Sequence, residues 1–361
     1  MKYILLFISL LVANPCLAND SIGYLGAGGI EFKKTADISM ESEVLTISRD
    51  LIRVEYEFLN TSSAPIKGTV IFPMPFYGFD KGCSPQHSGQ LEGFRLWVDG
   101  VQQVTFRTVR AKLKDKDVTS RLRELGFTDE DIAEYRGVDG NCYSDNTVST
   151  KGVFSENMEI LRKEGLVDIL KEENAVMATP LWKAAYFYSW DQVFPPKTMV
   201  HIVHEYVPFT GAISGLYSFA DIGNFKKSSQ DIVSDFCMSD GEIRAGKNIQ
   251  ARITTGTLKI PLEGLAWEKV NYILTTGANW AGPIKDFTLN LKKATKNELV
   301  SLCFDGNFNK SDDVTNTSHI RNFVPNRDIT AIFFFNPLDS PARYKNIGSI
   351  PGYRQKYQTN R

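Results

Sequence analysis

Four cysteines beyond residue 18, Cys83, Cys142, Cys237 and Cys303, carry the most definite chemistry in this sequence. Thiols spaced by tens of residues and even in number fit two disulfides, whereas zinc sites bring cysteines together in close C-x-x-C pairs. Four cysteines allow three connectivities. Pairing Cys83 with Cys142 and Cys237 with Cys303 keeps each bridge within one half of the chain and is the arrangement expected here. A second constellation, His201-Ile202-Val203-His204-Glu205, has the residue types of a metal site. Its β-branched surroundings predict a strand, in which residues three apart point to opposite sides, so no metal is expected there. It also lacks the H-E-x-x-H order of zinc proteases.

Other chemistry fails on spacing. Asp305-Gly306-Asn307-Phe308-Asn309-Lys310-Ser311-Asp312-Asp313 alternates oxygen side chains but lacks the Gly and Glu that a calcium loop places at its sixth and twelfth positions. It reads as a polar turn. Gly26-Ala27-Gly28-Gly29 has the glycines of a phosphate loop without the preceding strand or the following Lys-Ser/Thr. No G-x-S-x-G nucleophile motif is present, no cofactor is implied, and oxidised cysteines offer no thiol nucleophile. The loop Thr276–Ile284 is the one candidate ligand contact, through Asn279, Trp280, Gly282 and Pro283. Its Trp either offers an aromatic platform to a glycan or peptide, or pins the loop to a β-sandwich; the second is expected.

The elements that would position these groups are mostly strands. Ile52, Val54, Tyr56 and Phe58 alternate with Arg53, Glu55 and Glu57, the pattern of a strand with one wet face. Gly68–Phe72 returns from the Asn60–Pro65 turn, and Phe94–Val98 and Gln103–Val109 flank Asp99-Gly100, a hairpin dipeptide. Short helices are predicted after Asp117, Thr128 and Ser155. Strands follow at Ala185–Val193, Lys197–Val207, Asn248–Ile260, Val270–Thr276, Phe287–Leu291, Val300–Phe304 and Thr330–Asn336. The expected fold is mainly β: two β-sandwich-like units, residues 19–110 and 181–350, with a helical charged insertion at 111–180 between them and a polar tail at 351–361. In the insertion, basic residues from Arg107 to Arg123 precede acidic ones from Glu124 to Glu134, a solvated surface with internal charge pairing.

Residues 1–18 carry Lys2, a short apolar run from Ile4 to Val12, and Cys16-Leu17-Ala18, the pattern of a cleaved secretory signal peptide. Export to the periplasm or the exterior is expected, and no later stretch reaches membrane-spanning length. With 41 basic against 42 acidic residues, the chain has no global field for nucleic acid. The 23 Phe and 14 Tyr add to the β-rich character.

Several segments together resemble an uncharacterised family of exported bacterial proteins, a domain of unknown function. They are Asn19 through Ile30, Ile38–Glu43, Tyr56–Asn60, Phe72-Pro73-Met74-Pro75, Val98-Asp99-Gly100, Asp117-Val118-Thr119, Asp235-Phe236-Cys237, Thr276–Ile284 and Ser301–Phe304. The resemblance implies export and a β-rich fold, and brings no activity. The first unit alone is similar, in the order of its motifs, to the vault and inter-α-trypsin-type β-sandwich, an interaction module. The function expected is that of an exported, envelope-associated or secreted binding protein with a protein or glycan partner. The alternative is a hydrolase of a cell-envelope polymer using paired carboxylates in a cleft.

Overall fold

The structure is a computed structural model that describes residues 21–26, 29–32, 35–79, 92–136, 138–140, 148–172, 175–208, 217–219, 232–255 and 265–336. The expectations for the signal peptide, for Cys83 and Cys142 and for the tail lie outside these residues.

The chain is mainly β, built around one eight-stranded sheet. From edge to edge it runs through Asn309–Lys310, Thr315–Phe323, Ile284–Lys292, Ile38–Ile47, Ile52–Asn60, Met199–Val207, Glu92–Val98 and Val101–Gln103. The alternation read in Ile52–Asn60 is realised without exception, with Ile52, Val54, Tyr56 and Phe58 buried and Arg53, Glu55 and Glu57 half-exposed. Asp99 and Gly100 take φ of 48° and 80°, the left-handed conformation that a two-residue hairpin needs, and set Val98 opposite Val101. Asp99 further caps the neighbouring strand by accepting the His201 N–H at 2.9 Å.

Two further sheets cover the inner face. The larger is ordered Lys116–Asp117, Phe106–Leu113, Lys183–Phe194, Ile66–Pro73, Ser21–Gly26 and Gly29–Phe32, with Tyr77–Gly78 also on Lys183–Phe194. It meets the main sheet through ring contacts, Phe94 stacked on Tyr188 at 4.5 Å and Phe72 tilted against His204 at 4.7 Å. The smaller sheet, Ala266–Tyr272, Ile329–Phe335 and Leu299–Leu302, joins the same core, and the Tyr56 and Tyr272 hydroxyls hydrogen-bond at 3.0 Å. Its other face packs a second apolar cluster beneath the helix Asp240–Thr254.

The two expected units are not separate sheets. Ile284–Lys292 pairs in parallel with Ile38–Ile47, and Lys183–Phe194 lies between Phe106–Leu113 and Ile66–Pro73. Sheet boundaries therefore do not fall at residues 110 and 181. Alternating burial marks which face of a strand is wet, but not which strand it will pair with.

The insertion holds short helices at Thr119–Glu124, Asp129–Glu134, Val153–Glu156 and Met158–Lys163, and also two small hairpins, Val138–Gly140 with Val148–Thr150 and Val167–Glu172 with Ala175–Pro180. Thr128 precedes its helix as expected and caps it through a capping box with Asp131, whereas Asn157 and not Ser155 precedes the longer of the last two helices. The Arg and acid runs pair internally: Arg107 with Glu130, Arg110 with Asp117, Arg121 with Glu164, and Arg123 with Asp129.

One segment changes class. Residues 248–254, expected to begin a strand, belong to the helix Asp240–Thr254, which starts at a capping box between Ser239 and Glu242. The β-branched residues Ile249, Ile253 and Thr254 masked that start signal. Gly246 lies where this helix crosses Phe219, and a Cβ built there would come within 2.2 Å of the ring. Gly246→Ala is therefore expected to destabilise by about 1–3 kcal/mol despite its better helix propensity, as read by urea denaturation.

Candidate binding edge

The metal reading is decided by strand geometry. His201 and His204 lie on Met199–Val207 with His201 half-exposed opposite Glu57, while His204 is buried among the rings of Tyr56, Phe72, Phe94 and Tyr206. Among the described residues no group of three His, Cys, Asp or Glu is placed to share a metal ion. In the oxygen-rich turn, Asp312 accepts the Val314 and Thr315 N–H groups, Asp313 pairs with Lys310 and Asp305 with Arg327, so the oxygens serve the turn itself. The Asp312 carboxyl is held below its ordinary range chiefly by the Val314 N–H. A strand does precede the glycine run, contrary to the sequence reading, but Gly26 and Gly29 pair across a hairpin and a second strand follows where a phosphate loop would need a helix.

Trp280 is 4% exposed, with its ring 4.4 Å from Phe58 and 6.1 Å from Phe194. Asn279 is buried beside it, Pro283 is half-buried, and Gly282 alone of the four candidate residues is exposed, with a left-handed φ of 80°. The loop is fastened at both ends. The Asp328 carboxylate accepts the Leu274 and Thr275 N–H groups and the Thr275 hydroxyl, and the Ala281 N–H donates to the Ile38 carbonyl. This Trp packs the corner and turns no ring face to a ligand.

The interior carboxylates are equally closed off. Arg49, in the turn between Ile38–Ile47 and Ile52–Asn60, is 1% exposed and reaches into the smaller sheet. Its guanidinium donates to Glu298 at 2.5 Å, lies 3.8 Å from Glu268, and stacks 3.7 Å over the Phe335 ring. Both acids are 1% exposed. Glu43, also buried, accepts from the Tyr272 hydroxyl at 3.5 Å. These acids join sheets and stand out of reach of a polymer, so they are not the cleft pair that hydrolysis requires.

Outer-face charges of the main sheet neutralise one another: Glu205 bridges Arg53 and Arg95, and Glu55 also pairs with Arg53. The edge of this sheet is different in character. The strand expected over Gln103–Val109 is broken at Val104-Thr105. Val101–Gln103 ends the main sheet as its outermost strand, and Phe106–Leu113 enters the second sheet. The crossing leaves Val101 64%, Val104 81% and Phe106 63% exposed, three large apolar side chains within six residues. Elsewhere the edge of Phe106–Leu113 is closed: Val118 donates to the Ala111 carbonyl, Ala111 donates to the Thr119 hydroxyl and Arg123 reaches the Val109 carbonyl. The stretch 101–106 has no such cover among the described residues; its one capping contact is the Gln103 side chain on the Val101 carbonyl. Natural sheets usually blunt an edge with charge, proline or a covering loop; this one has an exposed valine on its outermost strand, with Val104 and Phe106 exposed where the chain crosses to the second sheet.

Among solved structures, the chain is similar to a "putative nutrient binding protein" of Legionella pneumophila, at 14% identity over 91% of this chain and 76% of that one, with a TM-score of 0.38. It is also similar to an M1 zinc metallopeptidase of Deinococcus radiodurans, at 8% identity over 83% of this chain and 43% of that one, with a TM-score of 0.23. Among curated proteins none matches. The family model described as "Domain of unknown function (DUF4424)" matches residues 18–332.

Proposed function

Since the chain belongs to the DUF4424 family, which brings no activity with it, we propose from its own surface that it is an exported binding protein whose contact is the edge 101–106. The observation that carries this reading is the coincidence at one place of an outermost strand with three exposed apolar side chains. An edge strand offers a row of backbone donors and acceptors, and apolar side chains beside it supply pockets or anchors, the two ingredients of recognition by strand addition. The partner is accordingly an extended segment of another protein. The charges flanking this edge are of both signs and paired, Arg107 with Glu130 and Arg95 with Glu205, and so present no basic field to anionic lipid headgroups.

Export is supported by the Cys237–Cys303 bridge and by the signal-peptide pattern of residues 1–18. No helix among the described residues is long and apolar enough to cross a membrane. The resemblance of the first segment to an interaction sandwich points the same way as the edge.

Val104→Asp with Phe106→Asp tests the reading, since both side chains are exposed and the double variant should keep its stability within about 0.5 kcal/mol per site. A tagged wild-type chain incubated with envelope extract is expected to retain a defined protein that the double variant loses. Retention of the same proteins by both would refute the edge as the contact. A wild-type chain that dimerises alone, with the variant monomeric, would replace the foreign partner by a second copy.

A further inference from the structure

The second apolar cluster and its helix are joined to the rest of the molecule by a covalent link of unusual accessibility. Cys237 and Cys303 form a disulfide with their Cα atoms 5.0 Å apart, which bears out the expected pairing. Cys237 is exposed and Cys303 half-exposed, whereas their neighbours Phe236 and Met238 are buried under the helix layer. Cys237 also holds a φ of 49°, a left-handed conformation that costs a non-glycine residue and that the bridge helps to maintain. One group is already placed for the open form: Cys303 Sγ lies 3.5 Å from the Asp235 carbonyl oxygen, an acceptor for a thiol. Besides the bridge, the turn is tied to the smaller sheet by the Ser301 hydroxyl, which donates to the Phe236 carbonyl at 2.9 Å, a single neutral hydrogen bond.

We propose that the Cys237–Cys303 bridge is a reversible clasp that a dithiol reductant opens in the folded protein, loosening residues 232–255 from the smaller sheet without unfolding the core. In the first step a reductant thiolate attacks the sulfur of the exposed residue Cys237, the Cys237–Cys303 bond breaks, and Cys303 leaves as a thiolate that takes a proton from water and donates to the Asp235 carbonyl. The reductant's second thiol then displaces Cys237, which is protonated in turn. The reductant gives up two electrons and closes its own disulfide. A buried structural bridge would instead be reached only through global unfolding.

The test uses the full oxidised chain and reduced dithiothreitol, with alkylation and peptide mass spectrometry read at Cys237 and Cys303. Opening is expected to rise linearly with reductant, to be unaffected by sub-denaturing urea, and to run about tenfold or more faster than global unfolding. Hydrogen exchange of the opened protein should accelerate within 232–255 and stay unchanged in the strand Ile52–Asn60. An opening rate that saturates at the unfolding rate, or climbs with urea, would overturn the clasp. So would exchange in 232–255 that is the same in both redox states.

Discussion

Trp280→Ala is expected to destabilise the protein by about 3–5 kcal/mol, the usual consequence of deleting a fully packed large aromatic, and to lower the melting temperature by several degrees. The ring fills the corner between Phe58 of the main sheet and Phe194 of the second sheet, and it anchors the loop that Asp328 holds from the other side. Its loss should therefore leave a cavity shared by both sheets, which the surrounding backbone cannot collapse because its turns are already hydrogen-bonded. Trp280→Phe should recover part of the loss. Thermal denaturation followed by near-ultraviolet circular dichroism measures both. A Trp280→Ala protein that melts like the parent would contradict the packing account and return Asn279, Trp280, Gly282 and Pro283 to consideration as a ligand contact.

Arg49→Ala should cost about as much, roughly 3–5 kcal/mol, for a different reason. Removal of the guanidinium takes away the buried positive charge that Glu298 and Glu268 both face, and strips the Phe335 ring of its stacked partner. One of the remaining contacts is weak help: the Glu298 carboxylate also accepts the Ala294 N–H at 2.8 Å, which does not neutralise it. The triple replacement Arg49→Met, Glu268→Leu and Glu298→Leu should be markedly less harmful than Arg49→Ala alone, because buried ion pairs contribute little net stability relative to apolar groups of similar size. Urea denaturation of the two variants separates a penalty of unpaired charge from a loss of packing. If the triple variant is as unstable as Arg49→Ala, packing around Arg49, and not its charge, holds the two sheets together.

Legibility in the sequence followed locality. The strand Ile52–Asn60 was readable because its two-residue period survives in nine consecutive positions, and the Asp99-Gly100 hairpin because its turn demands residues that tolerate positive φ. The pairing of Cys237 with Cys303 followed from their distance from the other two cysteines, and the packing of Trp280 from the ordinary fate of a tryptophan between glycine and proline. Pairings between distant strands were not readable. No residue of Ile38–Ile47 announces that Ile284–Lys292 will lie parallel beside it, and that one contact merges what alternation alone divides. Arg49 looked like any turn arginine, since the acids that bury it come from positions 268 and 298. The candidate edge was hidden for a related reason. Val104 and Phe106 continue an acceptable strand pattern, and only the change of sheet between them leaves them in solvent. The missed helix is the exception, because Ser239-x-x-Glu242 was a local start signal that β-branched residues downstream outweighed.

The claim that the edge 101–106 meets another protein is tested most directly by placing a photocrosslinking amino acid at Val104 in the living cell, with Ile160, an exposed apolar residue of the helical segment, as the control position. The account predicts a discrete adduct, of a mass that exceeds the chain by one partner, formed from position 104 and abolished by Phe106→Asp. No adduct from position 104, or the same adducts from 104 and 160, would contradict it.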